Sequence, residues 1–218
     1  MKKFYQTEWQ GINFDSFCDV SSSKIADSEF YNLYYEEFFK KFNNFESLPK
    51  EWRNIKNETA DLIISKITNE ERVLSVGCGI GYIENEIIKK LPDLELFASD
   101  FSYKSLTWLK EILTEKNLIT GIPQNVDSYD LIYCVELEYA LDNCELIALF
   151  KNIKSLLAPQ GKLLIITSCV FTNPPNLTSR IKKFIKSLAH TYGSIKKGQL
   201  WGYKRSEKEL LQIFSEAG

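Results

Sequence analysis

Three closely spaced glycines, followed by an acid nineteen residues later, are the residues of this sequence best placed to do chemistry. Gly77, Gly79 and Gly81 stand between a short apolar run and an amphipathic one, and Asp100 ends the next apolar run. A glycine turn between a strand and a helix lets backbone N–H groups approach a ligand closely. A carboxylate at the end of the following strand can accept hydrogen bonds from both hydroxyls of a ribose. The spacing therefore predicts a site for an adenosine-type nucleoside.

The spacing of the glycines also separates the two cofactors that contain such a nucleoside, NAD and S-adenosylmethionine. The dinucleotide fingerprint is GxGxxG, in which two residues separate the second glycine from the third. Here "GCGIG" is followed by Tyr82, and the third glycine is missing from that place. The pattern favours S-adenosylmethionine over NAD.

At this point the chain resembles the class I S-adenosylmethionine-dependent methyltransferases, whose first motif is an acid-x-GxGxG at the end of strand one. "ASDFS" is similar to the family's ribose-binding acid and helix cap, "YDLIYCVELEYAL" to its fourth strand and loop, and "SLLAPQGKLLIIT" to the segment that leads into strand five. "SEKELLQIFSEAG" resembles the helix before its last hairpin. One departure is Ser75, which stands where the family usually has the Asp or Glu that orients the cofactor's amino group. The resemblance implies S-adenosylmethionine as cofactor.

The resemblance also implies which residues hold the cofactor. The turn, the end of the second strand and the residue after the fourth strand surround its methionine, ribose and adenine parts. The implied residues are Ser75, Gly77, Cys78, Gly79, Gly81, Tyr82, Asp100, Phe101, Ser102 and Glu136.

Methyl transfer is an in-line displacement, and most of the catalytic work is positioning. A general base is needed only when the nucleophile is a weakly acidic hydroxyl. Two candidates are Tyr139, at a place where family members often carry a histidine, and His190, the single histidine of the chain, which follows strand five. Both also have a purely structural interpretation, which for a lone histidine is the commoner one.

Aromatic residues crowd the first forty positions. Packing is the simpler interpretation of this density. Aromatic faces also attract cations by about 0.5–2 kcal/mol, and the sulfonium of the cofactor is a cation. Tyr5, Trp9, Tyr31 and Tyr35 are therefore candidates for a lid over it.

Residues 170–205 contain eight basic residues and no acidic one. This charge predicts a basic lid that binds an anionic small-molecule acceptor, phosphorylated or nucleotide- or sugar-linked, with Arg180, Lys204 and Arg205 as substrate-binding residues. We expect methylation at oxygen, and "GQLWGYKRS" is similar to a segment in methyltransferases of surface-polysaccharide pathways. Three alternatives stay open: a solvated helix face, a docking face for RNA or protein, and a non-catalytic nucleoside-binding module.

Short apolar runs that alternate with amphipathic helices position these residues. They predict an α/β fold with a doubly wound, mostly parallel, Rossmann-like sheet and an N-terminal helical cap. The predicted regions are a cap (1–70), a cofactor-binding core (71–169), the basic lid (170–205) and a terminal helix (206–218). The predicted strands are Val73–Val76, Leu94–Ser99, Leu118–Thr120, Leu131–Val135 and Leu163–Ser168. The predicted helices include one capped by Ser28, one starting near Pro49, one over Tyr82–Leu91, one marked by Leu106, Leu109 and Leu113, and one running from Leu146 to Leu157.

Composition narrows the class of protein further. A net charge of -2 argues against a protein that coats nucleic acid. Five scattered cysteines without a CxxC pair and a single histidine predict neither a disulfide framework nor a metal site. No apolar run is long enough for a membrane span, which predicts a cytoplasmic protein. Because the family continues into two more strands after the helix that ends at Gly218, we expect either further residues or pairing in a homodimer.

Overall fold

In the computed structural model, the N-terminal region contains strands as well as helices. The structure describes residues 1–68, 71–123, 128–168, 170–171 and 198–218. Three short strands, β1 (Lys2–Gln6), β2 (Glu8–Trp9) and β3 (Ile12–Asn13), precede helices α1 (Ser28–Lys41) and α2 (Lys50–Ile64). The predicted N-terminal helical cap is present as α1 and α2, and short strands that were not predicted precede it.

A five-stranded parallel sheet forms the centre of the fold and confirms the predicted fold class. The strand order is β6-β5-β4-β7-β8, and every neighbouring pair is parallel. The chain builds outward from β4 in one direction and then crosses to β7 on its other side, which places a topological switch point at the carboxyl end of β4. The strands are β4 (Arg72–Val76), β5 (Glu95–Asp100), β6 (Leu118–Thr120), β7 (Tyr129–Val135) and β8 (Leu157–Ile166).

Helices cover both faces of this sheet, because successive side chains of a strand point to opposite faces. Leu74 and Val76 pack in a buried cluster with helices α4 and α5, whereas Val73 packs in another with α2 and α3. The alternation explains why the strands are apolar on both sides. The three further helices are α3 (Tyr82–Lys90), α4 (Asn143–Leu156) and α5 (Glu207–Ala217).

Local signals placed most helix boundaries correctly, with two exceptions. The capping box of Ser206 and Glu209 at the start of α5 is confirmed. The N-cap of α1 is Asp27 and not Ser28, because the Asp27 carboxylate accepts the N–H of Phe30. The helix predicted from Leu106, Leu109 and Leu113 is instead a pair of short 3₁₀ turns, 105–107 and 109–111. Buried residues three apart fit the 3₁₀ repeat as well as the α-helical one.

The N-terminus and the C-terminal part of the chain meet in a second sheet. Strand β10 (Gln199–Ser206) pairs antiparallel with β1 and parallel with β9 (Val170–Phe171). Leu200 and Trp201 of β10 are buried. Within the described ranges, every helix is too short or too polar to cross a lipid bilayer.

Most of the N-terminal aromatic residues serve packing. Trp201 stacks on Phe14 with ring centroids 5.1 Å apart, and Phe30 meets Phe14 edge to face at the same separation. Tyr34 of α1 is fully buried in this cluster. Such ring pairs stabilise by about 0.5–1.5 kcal/mol beyond their buried area. The cluster therefore fixes α1 against β10.

Candidate functional site at the carboxyl edge of the sheet

The carboxyl ends of β4, β5 and β7 open into a cavity of about 310 Å³. Its wall is formed by the β4–α3 turn, the start of α3, the end of β5, the loop after β7, and residues of β2, α1 and α2. In open α/β sheets ligands bind at this edge, beside the switch point. A cavity of this size suits a small molecule.

Most residues predicted from the sequence come together on this wall. Those that line it are Ser75, Gly77, Cys78, Gly79, Tyr82, Asp100, Phe101, Glu136 and Tyr139. Gly81, Ser102, Lys204 and Arg205 do not line the cavity, and Arg180 and His190 fall outside the described residues.

The glycine turn has a backbone that side chains disfavour. Gly77, Gly79 and Gly81 have φ angles of 76°, 57° and 77°, all in the left-handed region. The three positions differ in what a side chain would meet. A Cβ on Gly79 would make only an ordinary contact of 3.4 Å with the Tyr35 hydroxyl, whereas one on Gly81 would lie 2.1 Å from Cγ of the buried Leu109. Gly79 thus keeps the cavity open, and Gly81 is required by packing.

Asp100 ties the end of β5 to the glycine turn. Its two carboxylate oxygens accept the backbone N–H groups of Gly79 and Ser102, each at 2.9 Å. Burial raises the pKa of the Asp100 carboxyl above its ordinary value, although these two hydrogen bonds act in the opposite direction. The Ser102 hydroxyl points away from the cavity and donates to Asn32 Oδ1 of α1 at 2.7 Å. Since a carboxylate has about four acceptor positions, Asp100 retains capacity for further donors.

Glu136 adopts a strained backbone conformation directly after β7. Its φ is 53°, which is uncommon for a residue with a side chain, and its N–H donates to the carbonyl of Ile166. Lys56 of α2 lies 3.4 Å from its carboxylate, and the Ser168 hydroxyl donates to the other oxygen at 2.5 Å. Lys56 was not predicted from the sequence, because only the tertiary fold brings α2 to this loop.

A third carboxylate of the cavity wall, Glu84, was also not predicted from the sequence. Glu84, in the first turn of α3, is 1% exposed. Its Oε1 accepts the hydroxyl of Tyr133 at 2.7 Å, while its Oε2 has no hydrogen-bond partner among the described residues. Burial raises the pKa of the Glu84 carboxyl, against the lowering effect of the neighbouring Ser75 and Tyr133 hydroxyls. Burial, with Glu84 as the next cause, also holds the pKa of the Cys78 thiol well above its usual value. Cys78 is therefore a neutral thiol.

Aromatic rings form the N-terminal side of the wall. Three of the four aromatic residues predicted for a lid lie there, and Tyr5 does not. The aromatic residues of the wall from β2, α1 and α2 are Trp9, Tyr31, Tyr35, Phe38 and Trp52.

Tyr139 faces the cavity from the loop after β7. Its side chain is hydrogen-bonded to Tyr31, and its ring packs on Phe4 with centroids 5.8 Å apart. Burial holds the pKa of the Tyr31 hydroxyl well above its usual value. Gly202 of β10 leaves room for Tyr139, since a Cβ there would lie 2.5 Å from the Tyr139 carbonyl oxygen. Tyr31 and Phe4 thus hold the Tyr139 side chain at the cavity.

Arg205 lies away from the cavity, where its guanidinium fastens a loop. It is 1% exposed and donates to the carbonyls of Glu138 and Leu141 at 2.7 and 2.6 Å and to Asn143 Oδ1 at 3.0 Å. A guanidinium presents a fixed fork of donors, and here most of that fork is used on the loop. We correct its assignment from substrate binding to support of the loop between β7 and α4.

Lys204 has a different environment. It is half-buried, and its ammonium lies 5.2 Å from the centre of the Phe4 ring. This contact explains the position of Lys204 without an acceptor.

Comparison with known proteins places this geometry in a family. A family model described as a methyltransferase domain matches residues 46–218. No curated protein matches the chain.

Solved structures share the fold at low sequence identity. The magnesium protoporphyrin IX methyltransferase of Synechocystis, with bound S-adenosylhomocysteine, has a TM-score of 0.56 and 18% identity over 88% of this chain and 86% of its own. A putative O-methyltransferase of Nostoc punctiforme has a TM-score of 0.55 and 16% identity over 87% of this chain and 54% of its own. Human N-acetylserotonin methyltransferase, in complex with S-adenosylmethionine, has a TM-score of 0.54 and 12% identity over 88% of this chain and 51% of its own. The chain thus spans about half the length of the last two.

The family match covers the glycine turn, strand β5 with Asp100, strand β7 with Glu136 directly after it, and helix α5. It includes every element of the central sheet, and the N-terminal strands and α1 lie outside it. The chain belongs to the methyltransferase-domain family.

Proposed function

We propose that this protein is an S-adenosylmethionine-dependent methyltransferase. The observation that carries the proposal is the charge of the cavity wall, which contains Glu84, Asp100 and Glu136 and one basic side chain, Lys56. A wall of this kind favours a cationic ligand, and S-adenosylmethionine carries a sulfonium and an ammonium group. NAD would instead bring a negative pyrophosphate towards three carboxylates. Charge and glycine spacing therefore favour the same cofactor.

The residues present fit this cofactor. Asp100 has free acceptor capacity for ribose hydroxyls, and Gly79 leaves the turn open to a ligand. Tyr31 and Tyr35 supply aromatic faces to a cation. When bound, S-adenosylmethionine supplies an electrophilic methyl carbon. The chain's contribution is to hold cofactor and acceptor in line and to exclude water, which can supply about 7–11 kcal/mol of the barrier.

Calorimetry with S-adenosylhomocysteine and NAD side by side tests the cofactor. We expect S-adenosylhomocysteine to bind and NAD not to bind. Asp100→Ala should weaken S-adenosylhomocysteine binding by about 2–5 kcal/mol, the value of charge-assisted hydrogen bonds. Asp93→Ala, which removes an exposed acid after α3, is the matched control and should leave the affinity unchanged. Tighter binding of NAD than of S-adenosylhomocysteine would refute the proposal.

The acceptor we propose is a small, polar, anionic molecule methylated at oxygen, such as a sugar phosphate or nucleotide-linked sugar of surface-polysaccharide synthesis. Its support is the sequence charge of residues 170–205. Lys56, the basic residue of the described wall, is already paired with Glu136. Recognition of an anion in this proposal therefore relies on the segment 180–197, which the structure does not describe.

An acceptor screen separates this proposal from its alternatives. Labelled S-adenosylmethionine is offered with sugar phosphates, nucleotide sugars, their neutral counterparts and RNA. Transfer to the anionic sugars, reduced by Arg180→Ala and unaffected by alanine at the exposed Lys162 of β8, is the expected result. Transfer to RNA that falls steeply with salt would favour the docking alternative instead. Cofactor binding without transfer to any acceptor would favour the non-catalytic module.

A further inference from the structure

One buried side-chain oxygen in the described part of the cavity wall accepts no hydrogen bond at all. Glu84 Oε2 is buried and has no partner among the described residues, although the other oxygen of the same carboxylate accepts from Tyr133. A buried acceptor without a donor costs about 1–3 kcal/mol, and more when it is charged. Such an atom in the wall of a ligand cavity indicates that the ligand brings the missing donor.

The surroundings of Glu84 define the donor that fits. Ser75 and Tyr133 are opposite each other on neighbouring strands β4 and β7, and the Tyr133 hydroxyl donates to the Glu84 side chain. The serine is small and leaves a corner between the two strands, which the carboxylate fills from α3. Lys56 is the nearest basic residue of the wall and is engaged with Glu136. The unused oxygen therefore calls for a ligand group that carries both a positive charge and N–H donors.

This step rests on the proposed function, in which the ligand is S-adenosylmethionine. That ligand has two cationic groups, and only one of them carries N–H donors. A sulfonium has no N–H and interacts with aromatic faces or carboxylates through charge alone. An ammonium has three donors. We propose that Glu84 is the carboxylate that binds the α-ammonium group of the cofactor's methionine part. Ser75 stands where the family that this chain resembles has an acid on strand β4. In this chain the carboxylate comes instead from helix α3 and faces the same corner of the cavity.

Two ligands that differ in the amino-acid part test this assignment. S-adenosylhomocysteine contains the ammonium, whereas 5′-methylthioadenosine keeps the adenosine and the thioether but lacks the amino-acid part. Glu84→Gln preserves the shape and the acceptor for Tyr133 and removes the charge. By calorimetry, we expect this variant to bind S-adenosylhomocysteine about 10–100-fold more weakly and 5′-methylthioadenosine within about 3-fold of the wild type.

Two further variants sharpen the test. Glu86→Gln changes another acid of α3, which is paired with Lys89, and should leave both affinities unchanged. The double variant Ser75→Asp/Glu84→Ala returns the carboxylate to β4 and should recover most of the lost affinity for S-adenosylhomocysteine.

The outcomes distinguish this assignment from the proposed function. Equal losses for both ligands in Glu84→Gln would show a purely structural role, and wild-type affinity for both would show no role; either result overturns the assignment while leaving the cofactor in place. Failure of the wild-type protein to bind S-adenosylhomocysteine would overturn the proposed function together with the assignment.

Discussion

Replacing Gly81 with alanine is the most direct test of how the glycine turn is built. The substitution adds one methyl group at the start of α3, where φ is 77°. An ideal Cβ there would lie 2.1, 2.4 and 2.5 Å from three carbon atoms of the Leu109 side chain. Leu109 is fully buried beneath the helix and has little freedom to move.

Two separable effects give the magnitude. The left-handed conformation costs an alanine about 1–2 kcal/mol. Forcing an extra methyl into a well-packed core costs about 1–3 kcal/mol more. We therefore expect Gly81→Ala to lower the free energy of unfolding by about 2–5 kcal/mol. Gly121→Ala is the matched control, because Gly121 has a φ of 86° but no atom within 4 Å of the added Cβ. It should show only the first effect.

Urea denaturation of both variants measures the difference, since the midpoint shifts while the slope stays constant. Leu109→Ala alone should cost about 2–5 kcal/mol by opening a cavity. In the double variant the new methyl group enters that cavity, so its cost should be clearly less than the sum of the single costs. The interpretation is wrong if Gly81→Ala destabilises no more than Gly121→Ala, or if the double variant is simply additive.

Four further expectations follow from individual contacts. Arg205→Lys should lower the free energy of unfolding in urea by about 1–3 kcal/mol, because a lysine cannot satisfy both carbonyls to which the guanidinium donates. Lys204→Ala should lower it by under about 1 kcal/mol. A loss of kcat/KM in Arg205→Lys without loss of stability would restore the substrate-binding role of Arg205. Tyr139→Phe keeps the ring on Phe4 and removes the hydroxyl. If Tyr139 accepts the proton of the acceptor, kcat should fall while the affinity for S-adenosylhomocysteine is retained. An unchanged kcat would exclude that role. Ser206→Ala should cost about 0.5–2 kcal/mol through loss of the α5 capping box, and an unchanged denaturation midpoint would contradict it. Burial raises the pKa of the Glu84 carboxyl above its ordinary value, so the stability of the wild type relative to Glu84→Gln should be greatest in acid, below the ordinary pKa of a glutamate, and should decline as pH rises through the folded-state pKa. Urea melts in which this relative stability rises with pH would contradict a raised pKa of Glu84.

The sequence by itself determined the features that depend on short-range chemistry. Gly77, Gly79 and Gly81 predict the turn from β4 into α3, because few other residues adopt its positive φ angles. The position of Asp100 followed from the length of one helix and one strand. The order of apolar runs was enough to predict the parallel sheet, since each run and its covering helix are local units.

Tertiary structure decided the features that depend on contacts between distant parts of the chain. Strand β1 forms only because it pairs with β10, which lies almost two hundred residues further along the chain. The sequence of neither segment indicates which strand it pairs with. Charge alone suggested that Arg205 binds a substrate, but the fold buries it against the loop before α4. The sequence analysis did not single out Glu84, because only the docking of α3 on β4 and β7 brings it to the cavity. Residue type sets which chemistry is available, whereas burial and neighbours, which follow from the fold, set which residues use it.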